Sequence, residues 1–266
     1  MTGGVTAAAA DWLEVELGRG VRGGFTGADA NLSGVVGDGV LAAEHRRALA
    51  GRLGAPLALV RQVHGAGVRD ADPRLGALDH AELPEGDALV TNRSDVAVGV
   101  LVADCVPVLL ADPGRRVVAA VHAGRRGLVA GVLEAAVDRM VALGARVGDV
   151  RAVIGPAVCG RCYEVPEDMR EDVARAVRGT ASTTSWGTPA LDLPAGVRGR
   201  LLDAGVGRVG DVAACTVEDA RWFSHRASSA SGHPTSARPA GRFGAVVRLL
   251  PDPPADAAAH RAGTPS

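Results

Sequence analysis

Two histidines and a cysteine stand where they could share one metal ion. Cys105 lies in ADCVPVLLAD and His122 in VHAG, on either side of the turn signal Asp112-Pro113-Gly114-Arg115. A hairpin loop centred between Pro113 and Gly114 pairs Cys105 directly with His122, with their Cβ atoms about 4.5–5.5 Å apart on one face. Thiolate and imidazole are both zinc ligands, with bonds of about 2.3 Å and 2.0–2.1 Å. Pro107 in the same strand could introduce a bulge that shifts this pairing.

His64 is the best remaining candidate for a third ligand. QVHG and VHAG each place a histidine at a strand end before a glycine, where functional side chains reach the rim of a sheet. The other histidines fall in a helix pattern, in loops or in the C-terminal tail: His45, His80, His225, His233 and His260. Three protein ligands with an open fourth position are typical of a catalytic zinc, which lowers the pKa of its bound water to about 7.

The opposed Cys105 and His122 also permit other interpretations. Both could be ordinary core residues. They could instead form a nucleophile–base pair, because a neighbouring imidazole lowers a thiol pKa. A non-catalytic zinc protein is a further alternative, with Asp87 or Asp104 as a fourth ligand that closes the site; both aspartates could instead cap or pair at strand ends. Spacing alone leaves these alternatives open.

The pair Cys159-x-x-Cys162 has only Cys215 as a further thiol outside the candidate site. It cannot complete a four-ligand zinc knuckle without a distant histidine, and it lies beside a Pro/Gly-rich turn rather than at a thioredoxin-like helix start. We therefore expect a structural or incidental role for it.

The elements that must position these residues alternate between strands and helices. Apolar periodicity predicts helices over 41–53, 125–144, 165–179 and 191–206, and strands over 57–68, 87–92, 96–112, 116–124, 150–158, 211–217 and 244–250. No repeat or linker divides the chain. We expect an α/β fold with a mixed β-sheet core and flanking helices, in a single catalytic domain over 11–250 between a disordered N-terminus (1–10) and a disordered tail (251–266).

Composition excludes several classes of function. All 29 basic residues are arginine, but 30 acidic residues balance them, which gives a net charge of −1 and no support for nucleic-acid binding. Four cysteines in 266 residues are not a disulfide scaffold. We find no secretory signal and no charge-free apolar stretch long enough for a membrane span, and we expect a cytoplasmic monomer.

Six ordered motifs resemble one known family. They are QVHGAGV, GDALVTN, ADCVPVLLAD, AVHAGRRG, IGPAVCGRCYEVP and FSHR with GRFGAVVRL, and they extend from about residue 20 to residue 250. The chain resembles the YfiH/PgeF family, also called DUF152 or "polyphenol oxidase/laccase". The resemblance implies a cysteine-hydrolase-type α/β sandwich and a zinc ion on His64, Cys105 and His122. Arg125 and His225 replace the family's usual Trp and Tyr, so substrate preference is open.

The resemblance implies phosphorolysis of adenosine, inosine and methylthioadenosine to the free base and ribose 1-phosphate, with adenosine deamination in addition. It also implies an alternative in peptidoglycan editing, for which a Cys–His hydrolase would act on a wall precursor. For substrate contacts we expect Arg126 to bind phosphate at a helix start, Tyr163 to stack on or hydrogen-bond to the base, and Gln62 to act behind the ligands.

The laccase name raises copper as an alternative metal. A set of multicopper centres needs about ten histidines, several in His-x-His pairs, whereas this chain has seven histidines and no such pair. We reject that centre and expect zinc.

Overall fold

The computed structural model describes residues 11–75, 82–229 and 238–252. Their strands run in chain order as follows: β1 Trp12–Val15, β2 Val21–Thr26, β3 Leu57–Ala58, β4 Val68–Asp70, β5 Ala88–Thr91, β6 Ala97–Val102, β7 Val106–Asp112, β8 Val117–Ala123, β9 Arg151–Ile154, β10 Ala181–Thr183, β11 Pro189–Leu191, β12 Arg208–Asp211 and β13 Phe243–Leu249. The α-helices of these ranges are α1 Gly39–Leu53, α2 Arg125–Val129, α3 Val132–Ala142, α4 Glu167–Ala176, α5 Leu193–Asp203 and α6 His225–Ser229.

Two mixed sheets form the centre of the molecule. One has the strand order β1-β2-β13-β6-β3, and the other has the order β12-β9-β7-β8-β5-β4. Every residue of β7, β8 and β13 is buried, because each of these strands is covered on both faces. This double burial explains why they appear in the sequence as continuous apolar runs rather than as alternating patterns.

The layers follow from the apolar clusters. Val100, Leu109, Ala120 and Ala245 belong to a cluster that joins the facing sides of the two sheets. A second cluster packs α3 and α5 on the outer face of the six-stranded sheet, and a third packs α1 on the outer face of the five-stranded sheet. The order α–β–β–α confirms the predicted α/β fold class, with two central sheets in place of one mixed core and a separate two-stranded sheet of β10 and β11.

The β7–β8 hairpin has a register that differs from the predicted one. The loop spans 113–116, so that Asp112 pairs with Val117 and His122 lies opposite Pro107 rather than Cys105. Asp112 fixes the turn by accepting the backbone N–H of Arg115 at 3.0 Å. The observed pairing is shifted by two residues relative to the predicted one. Because side chains alternate between the two faces of a sheet with a period of two, Cys105 stays on the same face as His122 and becomes its diagonal neighbour.

Several predicted elements are divided. The predicted strand 57–68 forms regular strands only at β3 and at the start of β4, with an isolated bridge at Arg61 and irregular backbone around His64. The predicted 96–112 strand breaks after Val102 and continues in the other sheet, and the predicted helix 125–144 breaks at Gly131, whose φ is +86°. Of the predicted strand 211–217, only its first residue, Asp211, lies in a regular strand, β12.

The helices α1, α4 and α5 are confirmed, and the predicted helix stop at Gly54 has a left-handed φ of +72°. The predicted disorder of 1–10, and of the tail beyond residue 252, lies outside the described residues. The boundaries 11–250 of the catalytic domain stay a prediction. None of the described helices is long and apolar enough to cross a membrane.

Candidate metal centre and substrate cavity

Asp87, directly before β5, positions both histidines of the site. Its side chain is fully buried. Oδ1 accepts the backbone N–H of His64 at 2.9 Å and Nδ1–H of His122 at 2.8 Å, and Oδ2 accepts the N–H of Gly65 at 2.7 Å. Burial alone would raise the pKa of Asp87, but these hydrogen bonds outweigh burial and lower it. The carboxylate therefore stays ionised and holds the His64 turn against β8.

His122 is oriented by this contact. Because an ionised carboxylate can only accept, Nδ1 of His122 carries a proton and Nε2 is the atom left for the site. Burial lowers the pKa of His122, but Asp87 and the Cys105 thiolate outweigh burial and raise it to about 9. Such a carboxylate–histidine pair is the usual support of a metal-binding imidazole.

Cys105 is held between β6 and β7 by an unusual backbone turn. Asp104 before it has a positive φ of +83°. The Asp104 carboxylate accepts the Thr216 hydroxyl at 2.6 Å and the Arg226 N–H, at the start of α6, at 2.7 Å. These contacts with distant loops stabilise the turn, and they direct the Cys105 thiol toward His64, with Sγ 3.7 Å from Nε2.

The donor atoms fit a zinc ion. One ligand atom from each of His64, Cys105 and His122 lies within 4.8 Å of the others, and the two imidazole rings meet edge to face at 4.7 Å. Tetrahedral zinc with ordinary bond lengths requires S···N separations of about 3.6 Å, close to the 3.7 Å between Cys105 and His64. These three residues are therefore brought together as predicted.

A fourth ligand from Asp87 or Asp104 is wrong for this structure. Both carboxylates are engaged by the hydrogen bonds described above. In the described ranges, no further His, Cys, Asp or Glu joins the three donors. The described donor set therefore consists of three side chains, the number of protein ligands that is typical of catalytic zinc sites.

Gly124 gives the donors room, because a Cβ there would lie 2.7 Å from His64 Cδ2 and 3.2 Å from Cys105 Sγ. We expect Gly124→Ala to displace His64 and weaken metal binding by about 10- to 100-fold, as loss of a supporting contact does. Chelator competition measures this affinity. Gly51→Ala is the matched control, because its Cβ meets nothing within 4 Å and should only stabilise α1, by about 0.5–1 kcal/mol. Equal metal affinity in the two variants would contradict the packing argument.

The metal-free protein should show an acidic Cys105 thiol. Burial would raise its pKa, but hydrogen bonds from His122 and His64 outweigh burial and lower it from 9.0 to about 6. We expect iodoacetamide to alkylate Cys105 at a rate that is maximal above pH 6 and falls below it, as the thiolate is protonated. Peptide mass spectrometry follows Cys105 apart from the other thiols. His122→Asn should shift the midpoint upward, and an unchanged midpoint would exclude the imidazole as its cause.

The three donors open into a cavity of about 800 Å³ between the sheets and α1. One part of its wall is apolar and includes Leu57, Leu83 and Leu101. Another part includes Arg46 and Arg242, whose guanidinium groups also donate to main-chain carbonyls. This volume lies within the usual range for small-molecule sites, about 300–1,000 Å³. Sequence reasoning missed both arginines, although Arg242 stands in the quoted motif GRFGAVVRL.

The predicted substrate residues lie at different places around the donors. Gln62 lines the cavity, but its amide is bound to the main chain of Leu101, with both hydrogen bonds at 2.8 Å. Arg126 is exposed on α2 and does not line the cavity, and α2 is too short to present a strong helix N-terminus. Their contacts with substrate stay predictions.

Tyr163 lies outside the cavity lining. Burial raises the pKa of its hydroxyl, Arg125 only partly offsets this, and Cys105 is near enough for the charge of its thiolate to raise the pKa as well. The Arg226 guanidinium lies 5.0 Å from the centre of its ring. Its predicted contact with the base stays a prediction.

The Cys159–Cys162 pair is not incidental to the packing. The structure brings Cys215 and Glu218 against it, so that one ligand atom of each residue lies within 4.8 Å of the others. The expectation that only a distant histidine could supply a fourth donor is wrong, because Glu218, three residues after Cys215, places a carboxylate oxygen within reach of the three thiols.

Fold and site together define an α/β protein with a candidate metal centre at a cavity. Residues 19–249 match a family described as multi-copper polyphenol oxidoreductase laccase. A purine nucleoside phosphorylase (ORF3) of Streptomyces griseus is 51% identical over 208 residues, 77% of this chain and 84% of that protein. The adenosine deaminase RL5, from an unknown prokaryotic organism, is 38% identical over 192 residues, 66% and 72% of the two chains.

The crystal structure of Bacillus licheniformis YfiH superposes with a TM-score of 0.77 at 26% identity, covering 91% of this chain and 97% of that one. The chain belongs to this laccase-like YfiH family, as the six motifs indicated. The resemblance stated from the sequence is confirmed.

Proposed function

We propose that this protein is a zinc-dependent purine nucleoside phosphorylase that also deaminates adenosine. The observation that carries the proposal is the opening of three metal donors, His64, Cys105 and His122, into a cavity with both apolar and cationic walls. The names of the relatives give independent support, because they describe purine nucleoside phosphorylases and one adenosine deaminase.

The cavity walls suit the two reactants differently. In phosphorolysis a phosphate oxygen bonds to C1′ of the ribose while the bond from C1′ to the purine nitrogen breaks, and the base leaves with the electron pair and takes up a proton. The apolar wall would take the purine, and Arg46 and Arg242 would bind phosphate, for which guanidinium is well suited. We propose these two arginines beside Arg126 as candidates for phosphate binding.

Zinc on the three donors would supply Lewis-acid polarisation of a reactant oxygen. The protein's own contribution is to orient the donors. Asp87 fixes the tautomer of His122, and the turn at Asp104 holds the Cys105 thiol toward His64. Deamination of adenosine would use water in place of phosphate and release ammonia.

The test is a nucleoside panel with and without phosphate. We expect consumption of inosine, with formation of hypoxanthine and ribose 1-phosphate, only when phosphate is supplied, and release of ammonia from adenosine without phosphate. Chelated protein should lose both activities and regain them with zinc. Inosine consumption that persists in metal-free protein would refute the proposal.

A thiol hydrolase acting on a peptidoglycan precursor is the second candidate. The contacts of Asp87 with His122 and of His122 with the Cys105 thiol, whose pKa is about 6, favour it. This arrangement needs no second imidazole, so His64→Ala separates the two functions. The metal enzyme should lose metal and activity, whereas a thiol hydrolase would keep its activity after chelation and lose it to alkylation.

A further inference from the structure

A second set of metal-binding side chains lies outside the site described above. It consists of Cys159, Cys162, Cys215 and Glu218, and we call it the three-cysteine cluster. One ligand atom of each residue lies within 4.8 Å of the others. Cys162 and Cys215 are buried, Cys159 is half-buried and Glu218 is exposed. The three thiols are free rather than disulfide-bonded.

The backbone around the cluster is arranged to hold the donors together. The carbonyl of Cys159 accepts the N–H groups of Cys162 and Tyr163, both at 3.0 Å, which forms a tight turn with two thiols. A second loop is fastened beside it, because Ala157 and Cys215 form a β-bridge. The N–H of Cys159 points at Cys215 Sγ at 3.5 Å.

The donor types then decide the ligand. Thiolates select soft or borderline metals such as zinc, and four protein donors without an open position are typical of a structural zinc site. Glu218 approaches Cys162 Sγ at 3.6 Å. Arg161 lies 3.4 Å from the Glu218 carboxylate and would offset part of the negative charge of the ligands. A disulfide would use only two of the three thiols.

We propose that the three-cysteine cluster binds a structural zinc ion, with Cys159, Cys162, Cys215 and Glu218 as ligands. This ion is additional to the one proposed for His64, Cys105 and His122.

The position of the cluster gives this ion a role in the fold. Tyr163 follows Cys162 directly, and its ring lies 5.0 Å from the guanidinium of Arg226, whose backbone N–H donates to Asp104. Thr216 follows Cys215 and donates to Asp104, which precedes Cys105, at 2.6 Å. A zinc ion at the cluster would therefore fix two loops that reach the candidate catalytic centre, and its loss should loosen the turn that presents Cys105.

Metal analysis of protein purified without oxygen tests the proposal. We expect two equivalents of zinc per chain in the wild type, one in Cys105→Ala and one in Cys162→Ser. The cobalt-loaded Cys105→Ala variant should show thiolate-to-cobalt charge-transfer absorption and the visible bands of tetrahedral cobalt. Adding Cys162→Ser should abolish these bands. Because the two sites are counted separately, failure of either proposal is distinguished from failure of the other.

A second variant, Glu218→Gln, changes an exposed residue and should therefore fold even if Cys162→Ser does not. In Glu218→Gln, a chelator should remove the zinc ion of the three-cysteine cluster at a concentration at least tenfold lower than in the wild type. Glu171→Gln, which changes another exposed carboxylate, should behave like the wild type. The proposal is overturned by zinc content that is the same in wild type and Cys162→Ser. It is equally overturned by a disulfide between these cysteines in peptide maps of the anaerobic protein.

Discussion

Replacing Cys105 by alanine is expected to remove one equivalent of zinc per chain and to lower inosine phosphorolysis by more than about 100-fold, beyond the range that loss of a supporting residue produces. The substitution removes the only thiolate within reach of His64 and His122 among the described residues. Two neutral imidazoles in a site with an open side bind zinc far more weakly than a set that includes a thiolate. Metal content and turnover should therefore fall together.

The matched control for Cys105→Ala is His45→Gln. His45 is largely buried, and histidine, like cysteine, is a residue type that binds metals. Its Nδ1, however, is hydrogen-bonded to the Asn31 carbonyl at 3.0 Å, and His45 is not part of the donor set. It should keep both metal and activity. Unchanged zinc content in Cys105→Ala would contradict the proposed centre, and unchanged metal with lost activity would favour the thiol hydrolase. Thermal melting of each variant separates loss of ligand from loss of fold.

Asp87→Asn should have the second largest effect. An amide in place of the carboxylate puts an NH₂ group among N–H donors from His64, Gly65 and His122, so at least one hydrogen bond becomes a clash between donors. Zinc affinity should fall by about 10- to 100-fold, and turnover at subsaturating zinc should fall with it. Because a buried ion pair loses its charge, the free energy of unfolding should also fall, by about 3–5 kcal/mol.

Asp112→Asn is the control that separates affinity from stability. Asp112 is also fully buried and accepts two backbone N–H groups, from Arg115 and Arg146, at the far end of the β7–β8 hairpin. It should destabilise the fold without changing zinc affinity in the folded protein. Isothermal titration with zinc, below the melting temperature of both variants, makes the comparison. Equal zinc affinity in Asp87→Asn and wild type would show that Asp87 does not support the metal ligands.

Much of the fold could be predicted because local chemistry decides it. Asp38 accepts the N–H groups of Val40 and Leu41 at the start of α1, and Gly54 ends that helix with a left-handed residue. Strands buried on both faces appear as valine-rich runs. The break of the predicted strand 96–112 could not be found in this way, because it depends on a change of sheet after Val102 that uninterrupted hydrophobicity conceals.

The hairpin shows how a local error can leave a correct conclusion. A turn signal fixes which residues lie near the loop, but the loop centre depends on Asp112, which binds Arg115 within the turn and Arg146 from a distant segment. The shift of two residues preserves the face of every side chain. Cys105 and His122 were therefore expected on the same face for a valid reason, although they are not directly opposite.

The amino-acid sequence by itself determined the family, the ends of α1 and the three residues of the candidate donor set, because short motifs and caps depend on neighbouring residues. Only the tertiary structure decided that Asp87 supports His64 and His122, that Glu218 joins three cysteines, and that arginines from α1 and from the segment before β13 share a cavity wall. These relations join segments far apart in the chain, and their geometry is set by how two sheets pack face to face. No local pattern carries that information, since the packing arises from apolar surfaces that the whole chain buries together.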